Sequence, residues 1–369
     1  MNVCFLIADI SGGGGTERVT CMIANGLSRR GMQVGIISCR GSGNSSYELD
    51  ASVRIYALHG ENSRVSPLRR AAQAAKIWNL IRRRRFDIVI AVDLYLYLYL
   101  LPAQMTGLCK CIAWEHFNFY IESMKFSSVA RNTAMKWADK VIVLGKRDLG
   151  NYRRHYPNSA KVVCIYNPAA FSNTEYRGAD SFRVMAAGRL SAQKGFDLLI
   201  EAWKIIEHDP ETDVRWRLDI YGEGEEEANL NKKIEEYGLK RIHLMGYTND
   251  LERELEKSSV FVLSSRYEGF VLVLLEAQSK GLPCVSFKCR EGPEEIIDDG
   301  VNGFLAEKEN TGDLAKKLTR LMKDRSLRVR FGEHAHKDLK RFEAESVLDS
   351  WEELLYGLRE CKNENTEKR

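Results

Sequence analysis

Several signatures that would assign this chain to a common class of protein are missing. No Cys-x-x-Cys pair occurs among its nine cysteines, and Cys109 and Cys111 have no second pair at the spacing of a zinc site. An odd number of scattered cysteines favours reduced thiols over a disulfide framework. We therefore expect a cytosolic protein whose cysteines are mostly small residues of the core.

The features of an exported or membrane-spanning protein are also missing. The first ten residues, MNVCFLIADI, have no basic region before a very short apolar run, which indicates a first strand rather than an export signal. The most apolar stretch, residues 88–108, contains Asp93, Pro102 and Gln104, and its apolar run is shorter than the roughly 20 residues of a spanning helix. We predict a buried strand followed by a short packed helix in this stretch.

A strong overall charge is absent too, since the formal net charge is +4 over 369 residues. Basic residues can therefore matter only where they cluster. What is present is an ordinary soluble composition, 44% hydrophobic and 29% charged. The length exceeds what one core usually organises, so we expect two domains.

Short β-branched runs alternate with segments of helical periodicity in both halves of the chain. This alternation predicts an α/β fold with two doubly wound, Rossmann-like domains, which would face each other across a cleft with ligands at the carboxyl ends of the strands. The predicted boundaries are 1–166 for the first domain, 167–182 for a linker, 183–342 for the second domain, 343–360 for a helix that packs back towards the first domain, and 361–369 for a frayed tail.

The second half contains the sharper signal of a site. The segment SSRYEGFVLVLLEAQSKGLP places Glu268 in a turn and Glu276 eight positions later, on a helix that begins near Phe270. The free N–H groups of that helix favour a phosphate between the two carboxylates, which would lie roughly 10 Å apart at 1.5 Å of rise per residue. The alternative is that Glu276 is an ordinary surface or capping residue.

Two cations stand on another strand-to-helix turn. The segment GRLSAQKG places Arg189 just after a strand and Lys194 at the start of the next helix. Next to Gly188 and Gly195, these side chains are suited to clamp a diphosphate. A capped helix with solvated charges is the alternative.

A loop of four glycines, ISGGGGTERV, follows the first strand but fits neither G-x-G-x-x-G nor a P-loop. Five segments in this order resemble motifs of the retaining glycosyltransferases of family 4, which have the two-domain GT-B fold. They are the glycine loop, AWEHFN, GRLSAQKG, the segment that begins with SSRYEGF, and EGPEEIIDDGVNGFLAE. The resemblance spans residues 1 to about 325 and implies an acceptor-side first domain and a second domain that binds a nucleotide sugar.

The resemblance also implies roles for individual residues. It places Arg189 and Lys194 at the donor diphosphate, Glu268 at the transferred sugar and Glu276 at the ribose hydroxyls. Backbone N–H groups would contact phosphate or sugar at Gly269, Phe270 and Val271, and the base would lie near Gly246 and Tyr247. Gly14 and Gly15 would lie on the acceptor side and approach the diphosphate. The chain departs from the family pattern at Val271, where many members have a glycine.

His116 of AWEHFN stands where many relatives carry an active-site histidine. The resemblance implies contact with the sugar or the departing phosphate, and general-base work is an option for a histidine whose pKa lies near neutrality. A structural histidine is the alternative. With Glu268, Arg189 and Lys194, His116 completes the set of candidate catalytic residues, while Glu115 is expected to support the loop.

The sequence contains no Asp-x-Asp motif, which holds the metal of many inverting transferases. We therefore expect no metal and no other cofactor, with Arg189, Lys194 and a helix N-terminus neutralising the leaving diphosphate. For retention, the family implies front-face attack by the acceptor hydroxyl, whose proton passes to the leaving phosphate.

Residues 66–86 contain seven arginines and lysines and no acidic residue, with an apolar side around Trp78. Such a helix suits an anionic membrane surface, although an ordinary packed helix explains it equally well. Nucleic acid is not expected, because no aromatic platform accompanies the charge. Membrane contact would imply a lipid-linked glycan acceptor and a cytoplasmic protein peripheral to the inner face of the cell membrane, as in bacterial capsule or O-antigen assembly.

The sequence thus predicts a hexosyl- or N-acetylhexosaminyltransferase that uses a nucleotide sugar, most simply a UDP-sugar, and a glycan acceptor. Two alternatives stay open. A UDP-sugar epimerase would keep the fold and need no acceptor, and a degenerate transferase would serve as a membrane-bound scaffold.

Overall fold

The computed structural model describes residues 1–60, 67–120, 127–171, 180–289 and 291–367. Within the chain there are two compact units. Unit 1 comprises Met1–Pro168 and Ala344–Arg369, and unit 2 comprises Ala169–Glu343. The predicted linker and the predicted frayed tail each fall partly outside the described residues.

The described part of unit 1 contains a sheet of seven parallel strands. They are β1 (Asn2–Ile7), β2 (Gln33–Arg40), β3 (Arg54–Gly60), β4 (Ile88–Val92), β5 (Lys110–Trp114), β6 (Lys140–Val143) and β7 (Val162–Cys164). Their order is β3-β2-β1-β4-β5-β6-β7, so the winding reverses between β1 and β4. The strands read as nearly continuous apolar runs because helices cover both faces of a parallel sheet.

The helices of unit 1 lie between its strands, except for the last one. They are α1 (Gly15–Arg29), α2 (Pro67–Arg84), α3 (Leu94–Tyr97), α4 (Leu101–Met105), α5 (Ser127–Trp137), α6 (Lys146–His155) and α14 (Ala344–Glu367). Helix α14 returns to unit 1 after unit 2. Its Trp351 is fully buried, with its ring centroid 4.8 Å from that of Trp114 and 6.1 Å from that of Phe5.

The described part of unit 2 contains a second parallel sheet, of six strands. They are β8 (Arg183–Ala187), β9 (Arg217–Tyr221), β10 (Ile242–Gly246), β11 (Val260–Leu263), β12 (Cys284–Phe287) and β13 (Gly303–Ala306). The order β10-β9-β8-β11-β12-β13 reverses between β8 and β11. In such a sheet the loops after the two strands at the reversal lie side by side, which is where ligands bind.

Seven helices surround the sheet of unit 2 in its described residues. They are α7 (Phe196–His208), α8 (Glu227–Glu236), α9 (Leu251–Glu256), α10 (Leu272–Ser279), α11 (Pro293–Ile296), α12 (Thr311–Lys323) and α13 (Arg325–Asp338). The core includes the buried Trp203 of α7 and Trp216 before β9. The prediction of two doubly wound α/β domains is therefore confirmed.

The apolar stretch 88–108 is a buried strand and broken helix rather than a membrane span. It forms β4, α3, a 3₁₀ turn and α4 in succession. Every helix among the described residues is too short or too polar to cross a membrane. Eight described cysteines are free thiols, and all of them except Cys164 are buried, as expected of core residues.

Candidate functional site

The loops after β8 and β11 meet at the reversal point of the unit 2 sheet. The Lys194 Nζ atom donates a hydrogen bond to Glu268 Oε1 at 2.7 Å, and Ser265 Oγ donates to the same oxygen at 2.5 Å. Glu268 is 5% exposed. Ion pairs in such sheltered positions need added hydrogen bonds to offset desolvation, and Ser265 supplies one. The structure thus brings together two of the predicted site residues from segments 74 positions apart.

The Lys194 loop is clamped to the Glu268 loop by polar contacts. The Arg266 guanidinium forms two hydrogen bonds with the Asp197 carboxylate, at 2.6 and 2.8 Å, and a third with the Ala192 carbonyl. Gly195 has a φ of +62°, and a Cβ atom there would lie 2.2 Å from the Ser264 carbonyl oxygen. Only glycine therefore permits this backbone approach.

Helix α10 begins at Leu272, two residues later than predicted, and follows the Glu268 loop directly. Its N-cap residue, Val271, makes no side-chain hydrogen bond to the first turn. Glu276 is 4% exposed, so the alternative that it is a surface residue is wrong. The loop before α11 packs on the same turn, since a Cβ at Gly292 would lie 3.0 Å from the Gly269 carbonyl oxygen.

Other predicted donor-site residues make contacts that do not involve the Lys194–Glu268 pair. The Arg189 side chain is 74% exposed and is 3.1 Å from the Glu225 carboxylate. Gly246 ends β10 with a φ of +70°, and its carbonyl accepts a hydrogen bond from the Gly222 N–H. Tyr247 is 68% exposed. The Phe270 ring packs 5.9 Å from that of Phe342. The structure therefore joins Lys194 to Glu268 but pairs Arg189 elsewhere.

The glycine loop of unit 1 lies at the start of α1. Gly13, Gly14 and Gly15 are exposed, and Gly14 is the N-cap with no side-chain hydrogen bond to the helix. The loop is anchored by Tyr47, whose hydroxyl donates to the Gly13 carbonyl at 2.7 Å. The first turn of the 15-residue helix follows, and its Glu17 carboxylate lies against the loop, since a Cβ at Gly14 would be 2.7 Å from Glu17 Oε2. The carboxylate complements the positive end of the helix dipole.

His116 follows β5 at the same carboxyl edge of the unit 1 sheet. Its ring packs against Trp114 with centroids 4.3 Å apart, and its Nε2 atom is buried without a hydrogen-bond partner among the described residues. Burial lowers the pKa of His116 to about 3. The imidazole is therefore neutral at physiological pH and is suited to a hydrogen bond rather than to proton abstraction.

Glu115 centres a buried polar cluster beside His116. Its carboxylate accepts hydrogen bonds from the Phe117 N–H and the Tyr152 hydroxyl, both at 3.2 Å, and lies 3.9 Å from the Arg131 guanidinium. Burial, with a smaller contribution from the Asp93 charge, raises the pKa of Glu115 to about 8, and Arg131 opposes the rise. The cluster thus holds the loop after β5 through a carboxyl group that is largely protonated at neutral pH.

Comparison with known proteins decides the class of this chain. The model of Glycosyltransferase Family 4 matches residues 13–170, and the model of Glycosyl transferases group 1 matches residues 174–338. The chain is a glycosyltransferase. Its two halves match the two domain models in the order that the sequence motifs imply.

The transferase is similar over nearly its full length to bacterial enzymes. It is 29% identical to the amylovoran biosynthesis glycosyltransferase AmsD of Erwinia amylovora, over 95% of this chain and 98% of that one. It is 26% identical to a Campylobacter jejuni alpha-1,4-N-acetyl-D-galactosaminyltransferase whose name specifies a diphospho-undecaprenol-linked GalNAc acceptor, over 96% and 98% of the two chains.

Solved structures show the fold. The sucrose-phosphate synthase of Thermosynechococcus elongatus superposes with a TM-score of 0.82 at 16% identity, over 98% of the transferase and 99% of that chain. Such a likeness confirms the GT-B architecture.

Sequence reasoning missed several residues that hold the site of the transferase. Ser265, Arg266 and Asp197 stand within or next to the quoted motifs, but serine and charged residues on loops are too common to single out. Arg131 and Tyr152 lie on α5 and α6, far from the histidine motif in the sequence. The Glu-His pair after a buried strand was the one local signal of their cluster.

Proposed function

We propose that the transferase moves a sugar from a UDP-sugar to a lipid-linked glycan acceptor, with retention of configuration and without a metal, in bacterial surface-polysaccharide biosynthesis. The Lys194–Glu268 pair at the reversal point of unit 2 carries the proposal. The names of the two relatives, one in amylovoran biosynthesis and one with an undecaprenol-linked acceptor, support the class of acceptor.

In this proposal, cleavage of the bond between the sugar C1 and the diphosphate leaves negative charge on the diphosphate. The Lys194 ammonium group and the uncapped N–H groups at the start of α10 would stabilise that charge as it develops. Glu268 orients the Lys194 side chain and accepts a hydrogen bond from a hydroxyl of the transferred sugar. Glu276, on the second turn of α10, would accept hydrogen bonds from the ribose hydroxyls. The Arg189 side chain would leave the Glu225 carboxylate and contact the diphosphate.

Retention requires the acceptor hydroxyl to form its bond to C1 on the face from which the diphosphate departs. The hydroxyl proton then passes to the leaving phosphate oxygen, so no protein base is needed. A neutral His116 agrees with this route, because its ring can hydrogen-bond the sugar without taking a proton.

Membrane contact would involve α2. Its Ile77 and Ile81 are buried against unit 1, whereas Leu68 is 82% exposed and Arg82 and Arg83 face solvent. An exposed leucine together with arginines supports a location at an anionic surface, where a lipid-linked acceptor would be presented.

A donor screen tests the function. Purified protein is incubated with single nucleotide sugars, lipid-linked acceptors and EDTA, and the products are identified by mass spectrometry. We expect an acceptor-dependent product and UDP from one UDP-sugar, with the anomeric configuration of the donor preserved in NMR spectra. UDP release together with an epimerised free sugar and no glycosylated acceptor would indicate an epimerase instead, and the absence of any nucleoside diphosphate would contradict the proposal.

Substitution of Lys194 tests the site. Lys194→Ala should lower kcat about 100-fold or more, since loss of one donor to a developing anion has that effect in other enzymes. Lys232→Ala is the matched control, because Lys232 is exposed on α8 and forms an ion pair with Glu236 on the same helix. Equal activity of the two variants would remove Lys194 from the reaction.

A further inference from the structure

A polar cavity of about 450 Å³ opens at the amino-terminal edge of the unit 1 sheet, where β1, β2 and β3 begin. The residues that line it include the exposed Arg54, Arg83 and Arg84 and no acidic residue. Small-molecule sites typically have volumes of about 300–1,000 Å³. His116 follows the carboxyl end of β5, so the cavity lies at the opposite edge of the unit 1 sheet from His116.

One of the three arginines is oriented by an aromatic floor. The Arg84 guanidinium lies 4.9 Å from the centre of the Tyr56 ring, which in turn meets the Phe86 ring edge-on at 6.1 Å. Gly35 of β2 permits this floor, because a Cβ there would lie 3.0 Å from the Tyr56 ring and 3.2 Å from the Phe86 ring. The packing therefore positions the Arg84 charge at the cavity.

The other two arginines have no countercharge. In the described part of the chain, neither the Arg54 nor the Arg83 guanidinium forms a hydrogen bond or an ion pair. The partial negative charge at the end of α2 accounts for arginines at positions 83 and 84. It does not account for Arg54, which begins β3 and lines the same cavity. Like charges that converge on one cavity repel, and an anion would relieve that repulsion.

We propose that this cavity binds a phosphate-bearing ligand, with Arg54, Arg83 and Arg84 as its countercharges. Guanidinium groups bind phosphate through paired hydrogen bonds, and the polar residue Gln33 also lines the cavity. The phosphate belongs either to the headgroup of an anionic lipid or to a soluble phosphate compound. The proposal depends on unit 1 alone and is independent of the proposed transfer reaction.

The test compares two triple variants of the full chain. Arg54→Gln, Arg83→Gln and Arg84→Gln together remove the charge of the cavity. Arg69→Gln, Lys76→Gln and Arg82→Gln together remove the same charge from α2 outside the cavity wall. Sodium pyrophosphate is titrated at constant ionic strength by calorimetry, with every protein carrying Lys194→Ala so that the proposed diphosphate site of unit 2 does not contribute. Flotation is measured with phosphatidylcholine vesicles with and without phosphatidylglycerol. Equal unfolding temperatures of the two variants show that both are folded.

We expect the cavity variant to bind pyrophosphate at least about tenfold more weakly than the wild type, as for loss of one or more charge-assisted contacts, while the control variant stays within about twofold. A parallel loss of binding to phosphatidylglycerol vesicles identifies a lipid headgroup as the source. Loss of pyrophosphate binding alone identifies a soluble phosphate. The proposal is overturned if neither probe binds the wild type, if the cavity variant binds both probes normally, or if the control variant loses as much pyrophosphate binding as the cavity variant.

Discussion

Glu115 shows how burial changes the chemistry of a single residue. The carboxyl group faces the charges or polar groups of Asp93 after β4, Arg131 on α5, and Asp148 and Tyr152 on α6. Burial outweighs the attraction of Arg131 and raises the pKa of Glu115 to about 8. The folded state therefore retains a proton that the unfolded state, with a pKa near 4.5, has lost.

This difference predicts a pH dependence of stability. Because the folded pKa is raised, the contribution of Glu115 is most favourable below about pH 4.5 and declines as the pH rises to about 8. Glu115→Gln, which stays neutral, should gain stability relative to the wild type across this window by more than about 1 kcal/mol. Chemical denaturation at several pH values measures it, with the exposed Glu48→Gln as control. A pH-independent difference would show that Glu115 does not titrate in this range.

A second residue-scale prediction concerns glycines with left-handed backbone. Gly195 and Gly238 have φ values of +62° and +65°. A Cβ added at Gly195 would lie 2.2 Å from the Ser264 carbonyl oxygen, whereas a Cβ added at Gly238 would have no atom within 4 Å. Gly238→Ala should cost about 1–2 kcal/mol from the backbone alone. Gly195→Ala should cost clearly more and displace Lys194, which lowers donor affinity. Equal losses in urea denaturation would argue against the close approach.

At the scale of elements, α14 completes the core of unit 1. Trp351 is fully buried against Trp114 and Phe5, and a Cβ at Gly26 of α1 would lie 2.4 Å from the Leu348 side chain. The small residue on α1 permits the two helices to approach closely. The helix therefore packs as part of unit 1 although about 180 residues separate it from β7.

Removal of the tryptophan ring should destabilise unit 1 specifically. Trp351→Ala should lower the free energy of unfolding by about 3–5 kcal/mol, the usual cost of deleting a buried aromatic ring. Tyr356→Ala on the same helix is the control, because Tyr356 is 42% exposed. Thermal unfolding measures both variants, and a loss for Trp351→Ala no larger than that for Tyr356→Ala would contradict the packing role.

At the scale of the whole molecule, unit 2 is one continuous segment, whereas unit 1 is made of two. Each unit has its own sheet and its own buried core. A continuous unit with a complete core has what it needs to fold alone.

Separate expression tests this asymmetry. Residues 169–343 should fold alone with a cooperative thermal transition, since their core is complete. Residues 1–168 should unfold at a much lower temperature than unit 1 in the full chain, because Trp351 is missing. Addition of a peptide of residues 344–367 should restore part of the loss. Equal stability of residues 1–168 with and without the peptide would show that α14 is dispensable.

The sequence by itself determined the two parallel sheets and the strand-to-helix loops that carry Lys194 and Glu268, and the resemblance of its motifs to a known family predicted the class of enzyme. These signals are local, because hydrophobic periodicity, glycine turns and charged residues at strand ends can be read within a short window. The start of α10 lies two residues later than predicted, because Val271 has the non-helical backbone of an N-cap residue.

Only the tertiary structure decided which of these residues meet. It joined Lys194 to Glu268, paired Arg189 with Glu225, buried Glu276, and gathered Arg131 and Tyr152 around Glu115. Contacts of this kind connect residues that are distant in the sequence, and their energies depend on burial, which no local pattern specifies. The pKa of His116 is the clearest case, since a histidine that titrates near neutrality in water has its pKa lowered to about 3 by the fold around it.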